Sequence, residues 1–231
     1  MLNVKSKFLK KEIYEIGYGC GIGNYNNAKH GYREVEKVIK SAIDLGVNIF
    51  DTAKVYGNGL SEKILGKCIK GKRNKIIIAT KVPPEMLSRK GIITSTNESL
   101  KNLKIDRIDL LQLHWPNEEV DIRESMDALL KLKEQKKIQN IGLCNYNFIQ
   151  LKKIVKLYPS LISSYQAEYN LINREMDGKF NNFLIKNHIK FLCYSPLAKG
   201  MICANAGQKK FLKTLSVKYN MEISHMKYFF R

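Results

Sequence analysis

Short apolar runs, each closed by a polar residue, alternate with amphipathic stretches along nearly the whole of this 231-residue chain. Strand-like runs occupy residues 47–50, 76–79, 108–113, 138–143, 164–167 and 189–194. An earlier run, 13–16, leads into Gly17, Gly19, Gly21 and Gly23. Between the runs lie helix-like stretches. Residues 32–45 place Val35, Val38, Ile39 and Ala42 on one stripe and are closed by Gly46. Residues 61–69 begin at Ser61, read as an N-cap, and stop near Gly71. Residues 94–103, 122–134, 148–157, 176–187, 211–219 and 223–230 follow. Runs of strand length alternating with helical stripes predict βα units and a parallel sheet. No linker rich in Ser, Gly or Pro interrupts the pattern, so residues 1–231 read as one domain. The runs number seven, whereas a closed parallel barrel needs eight.

Polar residues fall at a particular place in this pattern. Asp51, Lys81, His114, Asn145, Gln166 and Tyr194 stand at or near the carboxyl ends of six different runs. In a parallel barrel these ends open onto one face, and that face carries the chemistry. Taken singly, each residue also fits a structural role. Asp51 suits a cap or turn, Tyr56 a core tyrosine with a satisfied hydroxyl, Lys81 an exposed strand end, and His114 a buried histidine bonded to backbone.

As an ordered set, the surrounding segments are more specific. Asp51-Thr52-Ala53-Lys54-Val55-Tyr56-Gly57, followed by Ser61-Glu62 and Leu65-Gly66, resembles the signature of the aldo-keto reductase family. Ala79-Thr80-Lys81 resembles that family's lysine strand, and Leu113-His114-Trp115-Pro116 its histidine strand. Gly142-Leu143-Cys144-Asn145, Tyr165-Gln166-Ala167-Glu168-Tyr169-Asn170 and Tyr194-Ser195-Pro196-Leu197 match its cofactor-facing segments in order. The resemblance covers roughly residues 12–231. It implies an α/β fold of the (β/α)8 barrel type and NADP(H)-dependent reduction of an aldehyde or ketone to an alcohol.

The resemblance also implies roles. A carbonyl that accepts hydride develops negative charge on oxygen and needs a proton there. Tyr56 is the implied proton donor. Its unperturbed pKa of about 10 is high for exchange near neutrality, and Lys81 beside it is expected to favour the phenolate and lower that value. Asp51 is expected to pair with Lys81, His114 to orient the carbonyl, and Trp115 to wall the substrate pocket. Asn145 and Gln166 resemble the pair that binds the nicotinamide carboxamide, with Asp51 also in the nicotinamide half of the site. Tyr194 resembles the aromatic that stacks on the ring. Ser195, Leu197 and Gly200 resemble the loop near the pyrophosphate. Cys144 replaces the family's commoner serine, and a thiol is the weaker donor. The four glycines between residues 17 and 23 do not have the spacing of a dinucleotide fingerprint.

Charge and cysteine content bound the alternatives. Forty Lys and Arg against 21 Asp and Glu give +19. Of the basic residues, 33 are Lys and 7 are Arg, and base and phosphate readers lean on Arg. Spread lysines alternating with acids read as solvated helix faces, so no nucleic-acid partner is expected. The five cysteines form no CxxC pair, which speaks against a zinc site and for a reducing, cytoplasmic setting. No apolar run approaches the roughly 20 residues of a spanning helix, and no membrane partner is expected.

The family pattern continues past Arg231, with an eighth strand, a loop for the adenosine 2′-phosphate and final helices. The chain is therefore expected to be a C-terminally truncated member, with strand edges open to self-association. A non-catalytic remnant or regulatory binding module of the same fold is the alternative reading.

Overall fold

The structure is a computed structural model that describes residues 5–9, 11–14, 16–21 and 31–200. The helix-like stretches 211–219 and 223–230, together with Gly23 and Cys203, lie outside the described residues. The chain divides into two compact units, one ending at Ser163 and one beginning at Ser164.

The first unit opens with an antiparallel hairpin of β1 (Lys5–Phe8) and β2 (Lys11–Tyr14). Leu9, in the turn, has a φ of 51°. The apolar run at 13–16 therefore belongs partly to this hairpin. The first parallel strand is instead β3 (Tyr18–Gly19), only two residues long. It pairs with β4 (Ile49–Asp51), Tyr18 opposite Phe50 and Gly19 opposite Asp51. Next come β5 (Ile77–Val82), β6 (Ile108–Leu113) and β7 (Ile138–Cys144), each parallel to the one before.

Every residue of β5 and β6 is buried. Strands covered on both faces read as unbroken apolar runs rather than as alternation, which is the sequence of Ile108 to Leu113 apart from Asp109 and Gln112. Asp109 is buried against Arg73. Its Oδ2 accepts from the guanidinium at 2.8 Å and from the Ile78 amide at 2.9 Å. The same guanidinium donates to the carbonyls of Ile76 and Arg107. This pairing ties the start of β5 to the start of β6.

Helices α1 (Gly31–Asp44), α2 (Leu60–Cys68), α3 (Arg89–Leu103), α4 (Ile122–Glu134) and α5 (Phe148–Leu157) separate the strands. Three start on side-chain caps that satisfy otherwise orphaned amides. Ser88 accepts from Gly91, Asp121 from Arg123, and Asn147 forms a reciprocal capping box with Gln150. Ile92 and Leu103 of α3 and Met126, Leu129 and Leu132 of α4 are fully buried, so one stripe of each helix joins the core. Helix α2 approaches α3 closely because Gly66 has no side chain. A Cβ there would lie 2.4 Å from the Leu103 carbonyl oxygen.

Ser61 does not cap α2. Gly59 holds the N-cap position with a φ of 82°, and Ser61 lies inside the helix, buried.

In the second unit, β8 (Ile162–Glu168, from Ser164 onward) and β9 (Lys190–Tyr194) pair in parallel, with Gln166 opposite Leu192 and Glu168 opposite Tyr194. Helix α6 (Lys179–Lys186) connects them. Tyr165, Phe180 and Phe191 pack together, with Tyr165 centred 4.9 Å from Phe180 and 6.4 Å from Phe191. Among the described residues, no helix is long and apolar enough to cross a membrane.

Candidate active site

Four of the polar residues singled out in the sequence come together in the first unit. Asp51 ends β4, Lys81 lies near the end of β5, and His114 follows β6 directly. Tyr56 sits in the turn between β4 and α2, where its amide donates to the Ala53 carbonyl. The Lys81 ammonium is buried and donates in three directions. It reaches Asp51 Oδ2 at 2.7 Å, the Thr52 carbonyl at 2.9 Å and the Tyr56 hydroxyl at 3.4 Å. The ammonium also stands 5.1 Å from the centre of the Tyr56 ring. The His114 ring meets Tyr56 edge-on, with centres 6.0 Å apart and planes at 83°.

The backbone holds these groups in place. Val82 accepts from the His114 amide, and the His114 carbonyl accepts from Asn145 Nδ2 at 3.0 Å. Asn145 has a φ of 61°, in the left-handed region that asparagine tolerates better than most residues.

Electrostatics follow from burial and this geometry. Burial alone pulls a lysine down, but the Asp51 carboxylate leads the opposing interactions and leaves Lys81 above its ordinary range. Burial drives His114 down to about 4, and the Lys81 charge pushes the same way, so its ring is neutral near pH 7. For Tyr56 the sequence expectation requires correction. Lys81 does pull the phenol down, but burial pushes it up more strongly and Asp51 adds to that, so the net shift is upward. Burial likewise keeps the Cys144 thiol protonated.

Two contributors were not legible as site residues. Gln112 Nε2 donates to Asp51 Oδ1 at 3.4 Å. Its signal was a lone amide inside an apolar strand, two residues before His114. The Thr52 carbonyl holds the ammonium through backbone, which no side-chain pattern reports. Trp115 is 47% exposed. Among the described residues, no group of three or more His, Cys, Asp or Glu side chains gathers as a metal site.

The second unit carries the remaining predicted residues. Gln166 is buried on β8 and Tyr194, half-buried, ends β9. The Tyr194 carbonyl accepts from the Tyr169 amide. Ser195 has a φ of 52°, and its carbonyl accepts from Asn170 Nδ2 at 3.1 Å and from the Ala198 amide at 2.9 Å. Leu197 is half-buried, and Gly200 closes a short 3₁₀ turn, Ala198–Gly200.

Known proteins resemble this chain along most of its length. The model of the aldo/keto reductase family matches residues 15–219. Aldo-keto reductase YhdN of Bacillus subtilis is 35% identical over 176 residues, covering 72% of this chain and 53% of that protein. Aldo-keto reductase yakc [NADP(+)] of Schizosaccharomyces pombe is 32% identical over 206 residues, covering 81% of this chain and 59% of that protein. The chain thus spans a little more than half the length of these curated relatives. Among solved structures, the thermostable aldo-keto reductase Tm1743, in complex with the inhibitor epalrestat, superposes with a TM-score of 0.85 at 29% identity. That match covers 95% of this chain and 82% of the other. The strand–helix alternation is therefore that of the (β/α)8 barrel class. With the ordered motifs, the family model and two relatives above 30% identity in agreement, this chain belongs to the aldo/keto reductase family.

Proposed function

We propose that this chain carries a site for NADP(H)-dependent reduction of a small aldehyde or ketone, with Tyr56 as the proton donor. The observation that carries the reading is the buried Lys81 ammonium, placed between the Asp51 carboxylate and the Tyr56 hydroxyl. Support for the cofactor comes from the relative named with NADP(+). Within the first unit, Asn145, bonded to the His114 carbonyl, offers a carboxamide of the kind that matches a nicotinamide amide in donors and acceptors. The cofactor, when bound, supplies the hydride.

The chain's own residues then do the following. His114, neutral near pH 7, donates an N–H to the carbonyl oxygen and orients it. Tyr56 keeps its proton in the resting site, because burial holds its pKa up. It gives that proton to the oxygen as negative charge develops there. The phenolate left behind faces a full positive charge on Lys81, which lowers its energy where the dielectric is low. Asp51 and the Thr52 carbonyl keep that ammonium charged and fixed. Trp115 walls the substrate side.

A nicotinamide fluorescence titration, run beside an assay of NADPH oxidation with a panel of aldehydes and ketones, tests this. Saturable binding with turnover supports it. Binding without turnover on any carbonyl favours the alternative of a non-catalytic binding module, and no binding at millimolar cofactor overturns the reading.

A further inference from the structure

Beneath the candidate site lies a chain of buried hydroxyl and backbone groups to which no role has been given above. Ser61 Oγ donates to the Cys20 carbonyl at 3.1 Å and is 2.8 Å from Thr52 Oγ1. A hydroxyl has one proton. With that of Ser61 committed to Cys20, Thr52 is the donor in the second bond, and the chain runs from Thr52 to Ser61 to Cys20. Thr52, Ser61 and Cys20 are all buried, so water does not replace a missing partner.

Each end of this chain meets the site. At one end, the Thr52 carbonyl accepts from the Lys81 ammonium. At the other, the Cys20 amide donates to the Asp51 carbonyl at 2.8 Å, which fixes residue 20 from its second side. The next residue, Gly21, lies against the Tyr56 ring. A Cβ at position 21 would stand 3.0 Å from Tyr56 Cζ and 3.1 Å from Cε2. The backbone at Gly21 therefore runs close beside the ring, and the two bonds at Cys20 fix the residue before it.

We propose that Ser61 is a positioning residue: its hydroxyl joins the Cys20–Gly21 backbone, which runs beside Tyr56, to Thr52, whose carbonyl holds Lys81. The spacing of the phenol and the ammonium is thereby fixed by a side chain that touches neither. The proposal rests on the reading of Tyr56 and Lys81 given above, and its test is separable from that reading.

The test uses the full chain labelled with 13Cζ-tyrosine, with the Tyr56 signal identified by its loss in Tyr56→Phe. The charged and titratable groups that face Tyr56 are Lys81, Asp51, Cys144 and His114, and none of them is altered by a change at Ser61. In Ser61→Ala the ammonium loosens, its pull on the phenol weakens, and the Tyr56 titration midpoint rises. Ser61→Thr, which keeps the hydroxyl, returns the midpoint to the wild-type value. Thr52→Val breaks the chain at its other end and moves the midpoint in the same direction as Ser61→Ala, so the test does not depend on one variant folding. With NADPH and an aldehyde, kcat of Ser61→Ala falls roughly tenfold or more, while KM for NADPH holds. A Tyr56 midpoint that stays put in Ser61→Ala, or one that moves and is not restored by threonine, overturns the positioning role. Wild-type turnover tests the reductase reading on its own, and the NMR titration reads the hydroxyl chain even in a chain that turns nothing over.

Discussion

The Lys81 ammonium stands 3.4 Å from the Tyr56 hydroxyl, while Asp51 holds it at 2.7 Å. The first distance is long for a hydrogen bond and the second is short for a charged pair. In the resting site the ammonium therefore belongs chiefly to Asp51, and the phenol keeps its proton. Transfer of that proton would shift the balance toward Tyr56 without any large movement.

Replacing Tyr56 with phenylalanine keeps the ring and removes the acid. Loss of a general acid costs about 100- to 10,000-fold in rate. The expected outcome is turnover reduced within that range and cofactor affinity nearly unchanged, measured by NADPH oxidation and by fluorescence titration of the same preparation. Wild-type turnover in the variant removes Tyr56 from the mechanism.

His114 ties stability to pH. Its folded pKa, about 4, lies below the unfolded value of about 6.5. Between these values the unfolded chain binds the extra proton, so stability rises with pH there. The contribution is complete above about pH 6.5 and is lost as pH falls through 4, about 3–4 kcal/mol in all. Urea unfolding at a series of pH values should show that slope, and His114→Gln should flatten it. The same shift means that His114 gives no limb to a rate profile between pH 5 and 8.

Asp109 and Arg73 form a buried pair at 2.8 Å. Removing one partner strands the other, which costs about 3–5 kcal/mol for a buried pair. Arg73 keeps two backbone acceptors and is partly exposed, but the buried Ile78 amide also loses its acceptor, so Asp109→Ala should fall within that range. Chemical denaturation gives the figure. A loss below about 1 kcal/mol would show that the pair behaves as a surface one.

Gly66→Ala should destabilise the chain by about 1–3 kcal/mol, the usual cost of forcing atoms into a packed contact. The obstacle is the Leu103 carbonyl, 2.4 Å from the added carbon. Because it is backbone, α2 and α3 would have to separate. A melting temperature equal to wild type would show that the helices part freely.

The periodicity of the sequence determined the order of elements and much of their extent. The expected bounds of β6, α4 and α5 coincide with the observed ones, because a continuous apolar run or stripe is a local property and reports itself. Asp51, Lys81 and His114 were legible for a related reason: a polar residue closing an apolar run stands out. The tertiary structure decided what local pattern does not encode. A two-residue strand, Tyr18–Gly19, has no period to detect, whereas the apolar run at 13–16 has the look of a strand and belongs partly to the hairpin. Ser61 looks like a cap in sequence, yet the bonds that define it reach residues 20 and 52, brought near only by folding. The direction of the Tyr56 shift was likewise beyond the sequence. The nearby lysine is visible there, but the larger effect is the removal of water from around the phenol, and that depends on packing from several segments at once.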